Sequence, residues 1–312
     1  MDILNANDYL ERMLAAPRPG TEKILAFLDY RVGAVCTEPK LLLIPLDDHL
    51  CHRGDGVFET VSYRCRRLLL FDAHLERLRN SAGALQLAPP CPWEEVRALI
   101  LEVARASGAE QGSLRILLGR GPGGFGISPT ECPTSSLYII ALHAADLPET
   151  VYAKGFSSCR SSIPARQSYL ARIKNTNYLP NVLMTEEARQ RGFDIPLAFD
   201  DKANLAESAI ANVGLVDAQG TLVVPEFIHS LPGTTVLKAL ELAKTHMPVS
   251  MRPVLEEEIY AARELLLFST SPGCVPITSY EGRPIHDGQP GPVARLLRQS
   301  LREALLREGT PL

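Results

Sequence analysis

A lysine closes the short apolar run of "LARIKNTNYLP", and directly behind Lys174 come Asn175, Thr176 and Asn177. A lysine beside turn-forming residues is ordinarily solvated. Drawn out of water, the same amine becomes a nucleophile toward carbonyl groups and a carrier of protons. Three other stretches offer chemistry that such an amine would use. In "SLPGTTVLKALELAKTH" a Pro-Gly turn delivers Thr234 and Thr235 as the opening residues of an amphipathic helix. Unpaired backbone N–H groups and two hydroxyls there suit a phosphate, although threonine also begins helices as a plain cap. "DDKANLAESAIANVG" sets Glu207 before Ser208, Ala209 and Ala211. Small residues let a flat group lie against the backbone, and the carboxylate suits either a protonated ring nitrogen or solvent. "LLLFSTSPG" ends an apolar strand in Ser269, Thr270 and Ser271, whose backbone suits a carboxylate or simply a turn. Arg53, in a glycine turn, and Arg77, one turn into a helix, add guanidinium groups able to grip an anion.

The elements that must position these groups follow from periodicity. "NANDYLERMLAAP" reads as a short amphipathic helix, an arm before the folded body. "KILAFLDYRVGAV" and "KLLLIPLDDHL" read as strands, and "GVFETVSYRCRRLLLF" as two strands joined at Arg64 to Arg67. Helices are expected at "DAHLERLRNSAGALQL", with Asp72 as N-cap and Leu75, Leu78, Ala82 and Leu85 on one face, and at "PWEEVRALILEVARASG". Two further strands, "GSLRILLGRG" and "SSLYIIALHA", flank the glycine-rich "RGPGGFGISPTECPT". Beyond the polar "ADLPETVYAKG" the pattern turns to many short strands, with helices at "YLPNVLMTEEARQRG", "GTTVLKALELAKTH" and "GPVARLLRQSLREALLREG". The fold class is therefore α+β, with a small N-terminal α/β domain and a larger strand-rich, partly closed barrel. The boundaries predicted are a helical extension over 1–24, a small domain over 25–145, a linker over 146–154 and a large domain over 155–312.

Of 312 residues, 46% are hydrophobic and 22% charged, with a net charge of -4. That balance excludes the basic surplus of nucleic-acid or anionic-membrane binders and favours small metabolites as partners. Acidic residues near the start predict no signal peptide, and no apolar run approaches the ~20 residues of a membrane span. Seven scattered cysteines without CxxC spacing predict reduced thiols, a cytoplasmic location and no structural metal.

Taken in order, these features form a pattern: Phe58 and Glu59 after a glycine turn, Arg77 on the first helix, Lys174 with Tyr178, Glu207 before small residues, Thr234 and Thr235 at a helix start, and a Ser/Thr turn after an apolar strand. The pattern, spanning residues 25 to 305, resembles the class IV pyridoxal-phosphate aminotransferases. That group includes D-amino acid aminotransferases, branched-chain aminotransferases and aminodeoxychorismate lyases. The resemblance implies that Lys174 holds pyridoxal 5′-phosphate as a Schiff base, with Tyr178 near the phenolic oxygen and Glu207 on the pyridine nitrogen. It further implies that Arg77, Thr234, Thr235 and Ser271 hold the phosphate, that Phe58, Ser269 and Thr270 sit by the substrate, and that the enzyme is a homodimer. Chemically, a carboxylate on the ring nitrogen keeps the ring an electron sink, and the freed lysine carries the Cα proton.

Departures bear on the substrate. Bacterial D-amino acid enzymes of the group pair a tyrosine at the Phe58 position with an Arg-x-His trap, whereas no histidine follows Arg120 here. Arg115, which aligns with an arginine of the branched-chain enzymes, becomes the candidate carboxylate partner, with Leu117 and Gly119 on its strand face and Arg120 on the other. "KNTNY" is one residue shorter than the lysine-to-tyrosine spacing of the branched-chain group. The resemblance is greatest to plant-type members. It implies transfer of an amino group between a D-amino acid and a 2-oxo acid, with aminodeoxychorismate cleavage to 4-aminobenzoate and pyruvate, or branched-chain transamination, as alternatives.

Overall fold

The computed structural model describes residues 2–271 and 273–312, so Pro272 of the expected Ser-Pro-Gly turn lies outside the described residues. Strands β1 (Ile24–Asp29), β2 (Ala34–Cys36), β3 (Gly56–Arg64), β4 (Arg67–Leu68), β5 (Gly112–Gly119) and β6 (Ser136–Leu142) build an antiparallel sheet. A second, mixed sheet comprises β7 (Phe156–Arg160), β8 (Ile195–Phe199), β9 (Leu205–Ser208), β10 (Asn212–Val216), β11 (Leu222–Val224), β12 (Val249–Met251), β13 (Glu264–Ser269), β14 (Gly273–Tyr280) and β15 (Arg283–Pro284). The last strand, β16 (Thr310–Pro311), crosses back to pair with β4 of the first sheet. The fold is α+β with two curled sheets.

Alternation along β3 divides the molecule. Val57, Val61 and Tyr63 face a core shared with Leu114, Ile116 and Leu118 of β5 and with two helices, Phe71–Ala84 and Trp93–Ala106. Leu75, Leu78 and Ala82, spaced for one helix face, are buried there, each large side chain contributing about 1.5–3 kcal/mol. The opposite face of β3 carries Phe58, Thr60 and Ser62, and the register sets Phe58 beside Leu117 and Thr60 beside Arg115.

In the second sheet the apolar run of β13 is covered on both sides, which is why it lacks polar alternation. Leu265 and Leu267 join Val213, Leu215, Val275 and Ile277 inside the curl, while Leu266 and Phe268 pack under the helices Thr234–Ala243 and Pro292–Glu308.

Several local expectations are corrected. "KLLLIPLDDHL" is not a strand: Pro39–Leu41 forms a 3-10 turn, and Pro45 and the Asp pair lead into the short helix His49–His52. Asp72 lies inside the first turn of its helix, since Leu70, in the left-handed region, takes the cap position. The polar stretch expected to be a bare connection contains the helix Glu149–Lys154.

Candidate active site

The residues after Lys174 are fasteners. Asn175 Nδ2 donates to Ile173 O and its Oδ1 accepts from Asn177 N–H, while Thr176 Oγ1 and Asn177 Nδ2 both donate to Gly54 O at 3.0 Å. Gly54 has φ of 64°, and a Cβ on it would lie 2.3 Å from Asn177 Oδ1, so the contact requires glycine. Phe58 N–H donates to Lys174 O and Thr176 N–H to Gly56 O, which joins the lysine segment to the start of β3. The turn chemistry therefore fixes the lysine backbone, and its side chain is free to enter the cavity between the sheets. There Nζ lies 4.5 Å from the Phe58 ring centroid and 3.4 Å from Tyr178 Oη.

Burial lowers Lys174 to about 8, with Arg77 and Arg115 adding to the effect and Glu59 and Glu207 opposing it. Glu207, carried by β9, shifts the other way. Desolvation pushes it up to about 7 although Leu231 N–H, Arg166 and Lys174 favour its ionised form. A depressed amine and a raised carboxyl in one cavity are groups whose charges wait on a ligand.

The opposite end is built on the Leu231-Pro232-Gly233 turn. Glu207 accepts from Leu231 N–H, Asn212 Nδ2 donates to Leu231 O at 2.7 Å, and Arg77 donates to Pro232 O at 3.3 Å. The first intrahelical bond runs from Leu237 N–H to Gly233 O, so the N–H groups of Thr234, Thr235 and Val236 precede the helical ladder. Arg77 enters from the facing helix, donating Nε and Nη2 to Glu59 at 2.7 and 2.9 Å. Arg77, Lys174, Tyr178, Glu207, Thr234, Thr235, Ser269 and Thr270 all line one cavity. It opens into a wider, largely apolar chamber lined by Phe58, Thr60, Arg115, Leu117, Leu147 and Phe156.

The sequence pattern of the family Amino-transferase class IV matches residues 56–280. This chain belongs to the class IV aminotransferases. It is 31% identical over 99% of its length to the D-amino-acid transaminase, chloroplastic, of Arabidopsis thaliana, covering 83% of that protein. The T.th. branched-chain amino acid aminotransferase with pyridoxamine 5′-phosphate superposes with a TM-score of 0.85 at 26% identity, over 91% of this chain and 94% of that one. The 4-amino-4-deoxychorismate lyase of Pseudomonas aeruginosa superposes at 0.75 and 25% identity, over 84% and 96%. Class IV aminotransferases are pyridoxal-phosphate enzymes, and the donor set fits that cofactor. A guanidinium, two hydroxyls and ladder-free N–H groups stand at one end, an amine and a carboxyl line the rest, and Ala209 and Ala211 form a small-residue wall.

In this class IV aminotransferase Ser271 lines the wide chamber but not the narrower cavity of Arg77, Thr234 and Thr235. It lies outside the residues lining the phosphate-type end, with its Oγ 3.0 Å from Ser62 Oγ and its carbonyl accepting from Arg64. β13 ends at Ser269, and the next two residues carry the chain along the wide chamber toward β3. Ser269 and Thr270, expected beside substrate, line both parts of the cavity. Arg115 projects into the wide chamber with its guanidinium 5.6 Å from the Phe58 ring centroid. Arg120 is held elsewhere by Asp55 and the carbonyls of Leu85 and Gln86, and Arg53 bonds to the loop carbonyls of Phe125 and Gly126. Sequence reasoning missed His74, Arg166 and Asn181. His74 sits three residues before Arg77, a helical spacing that could have revealed it.

Proposed function

We propose that this enzyme moves an amino group between a D-amino acid and a 2-oxo acid, with Lys174 as the residue that binds pyridoxal 5′-phosphate covalently. The observation that carries the reading is the shared cavity in which a lysine lowered by burial to about 8 faces a carboxyl raised by burial to about 7. Likeness along 99% of the chain to a plant protein named as a D-amino-acid transaminase supports the substrate class.

In this reading Arg77, Thr234 and Thr235 hold the phosphate, Glu207 the ring nitrogen and Tyr178 the phenolic oxygen. Bound there, the cofactor supplies an electron sink for the pair left when the substrate loses its Cα proton. Lys174 Nζ, lowered by burial to about 8 and so able to exchange a proton near physiological pH, takes that proton and returns one. Glu207, in its carboxylate form, keeps the nitrogen opposite it protonated. Arg115 receives a substrate carboxylate, and the apolar walls around it exclude water from the side chain.

A homodimer is supported by exposed Leu179, Val182 and Leu183, at 67%, 58% and 48% exposure on one face of the helix Leu179–Gln190. Exposed Ile210 lines the cavity, which places apolar surface at its edge. A division into two domains near 146–154 is supported by the separate sheets β1–β6 and β7–β15, with β16 returning to the first. No helix of the described residues is long and apolar enough to cross a membrane, and seven free thiols support a reducing, cytoplasmic setting.

The test is borohydride reduction of the yellow protein followed by peptide mass spectrometry, and turnover with D-alanine, L-leucine and aminodeoxychorismate in parallel. A label on Lys174 and turnover with D-alanine are expected. A label on another lysine removes the assignment; 4-aminobenzoate from the third arm makes the chain a lyase.

A further inference from the structure

His74 is a buried histidine that the reaction as described leaves without a task. It projects from the helix Phe71–Ala84 and is 1% exposed. Nδ1 lies 2.7 Å from Glu59 Oε2, and Nε2 lies 3.2 Å from Thr234 Oγ1. The charged groups facing it are Glu59 from β3, Arg77 from its own helix and Lys174 from the loop joined to β3. Thr234 meets it from the start of the opposing helix.

The series Glu59, His74, Thr234 admits two proton arrangements. With Glu59 ionised and the ring neutral, the ring proton sits on Nδ1, so Nε2 accepts the Thr234 hydroxyl proton. That hydroxyl then presents only lone pairs to the cavity. With both ring nitrogens protonated, Nε2–H donates to Thr234 Oγ1, and the hydroxyl proton is free to point into the cavity. A phosphate accepts hydrogen bonds and is repelled by lone pairs, so it selects the second arrangement.

Charge balance selects the same one. Arg77 and Glu59 cancel. A phosphate monoester brings about −1.5 to −2 charges, against roughly +0.5 from a helix N-terminus. Such an excess in a buried site is unfavourable, and one proton on His74 removes most of it.

We infer that docking of a phosphate monoester at Thr234 is coupled to uptake of a proton from solvent by His74, which turns the Thr234 hydroxyl onto the phosphate. His74 is thus a positioning residue acting through Thr234. The inference rests on the reading of Arg77, Thr234 and Thr235 as the phosphate end. Burial holds His74 below its ordinary value before that event, so the ring starts neutral.

The experiment is nitrogen NMR of the holoenzyme labelled with ¹⁵N-histidine, compared with His74→Gln. Among seven histidines, one is expected to give imidazolium shifts that persist at about pH 8 and that vanish in the variant. His74→Gln should also weaken binding of pyridoxine 5′-phosphate, which has no aldehyde, by at least about tenfold while leaving binding of pyridoxine unchanged. If His74→Gln does not fold, Thr234→Val serves, with the same imidazolium expected to become neutral. A yellow holoenzyme whose His74 is neutral at about pH 6 to 8 overturns the inference alone. A protein that takes up no pyridoxal phosphate overturns the parent reading and the inference with it.

Discussion

At the end of the cavity proposed to take the phosphate, Glu59 holds Arg77 through two hydrogen bonds and His74 through a third, all behind a helix start. At the end proposed for the substrate, Arg115 reaches from β5 across the Phe58 ring into an apolar chamber. Both ends hang on β3, whose successive residues Phe58 and Glu59 point to opposite faces. The difference matches the lifetimes of the ligands. A cofactor that stays is held by a guanidinium already paired and fixed by Glu59, so that group needs no reorientation on binding. Substrates that enter and leave need a cation that is not already committed to a protein carboxylate.

The largest expected effect comes from breaking the paired end. Glu59→Gln leaves Arg77 without its buried counter-charge and His74 without its carboxylate partner, and should destabilise the folded protein by about 3–5 kcal/mol, measured by urea unfolding. Cofactor affinity should fall with it. The pH sign follows from the same pair. Burial opposes ionisation of Glu59, but His74 and Arg77 hold it down at about 2. Its stabilisation is therefore complete above the ordinary carboxylate range and is lost as pH falls from there toward about 2. A Glu59→Gln protein as stable as wild type would show that the clamp is dispensable.

Glu207→Gln tests the point where the two ends meet. Cofactor should still bind, while turnover falls at least ~100-fold, or ~2.7 kcal/mol in the barrier, because an amide cannot keep the ring nitrogen protonated. Steady-state rates on the yellow variant decide it.

At the open end, Arg115→Met should raise the KM for the amino donor by an amount equivalent to about 1.5–3 kcal/mol, with the cofactor spectrum intact. Arg120→Met should leave KM nearly unchanged and act on stability instead, since its guanidinium is engaged by Asp55. The reverse ranking would move the carboxylate site to the glycine loop.

The smallest effect is on Lys174 itself. Its amine is half-neutral at about 8, so modification by trinitrobenzenesulfonate in cofactor-free protein should rise with pH through a midpoint near 8 rather than above 10. Because Glu207 opposes the lowering, Glu207→Gln should shift that midpoint further down. An upward shift would mean the carboxyl does not act on the amine.

Residue types and their order were sufficient to name the chemistry of this chain. Lys174 among turn formers, Thr234 and Thr235 behind Pro-Gly, and Glu207 before small residues each fit a plain turn, cap or loop as well, and it is their joint order along the chain that carries the resemblance to the family. Strand alternation likewise placed Arg115 and Arg120 on opposite faces, because a period of two leaves little choice. Contacts between distant segments were not legible. That Ser271 bonds to Ser62, away from the phosphate-type end, depends on where β13 stops relative to β3. That His74 bridges Glu59 and Thr234 depends on a helix from the first sheet meeting a helix start from the second, 160 residues later in the chain. Charge state was decided there too. Lys174 near 8 and Glu207 near 7 are consequences of desolvation, and solvent is removed only when the two sheets close over the same cavity.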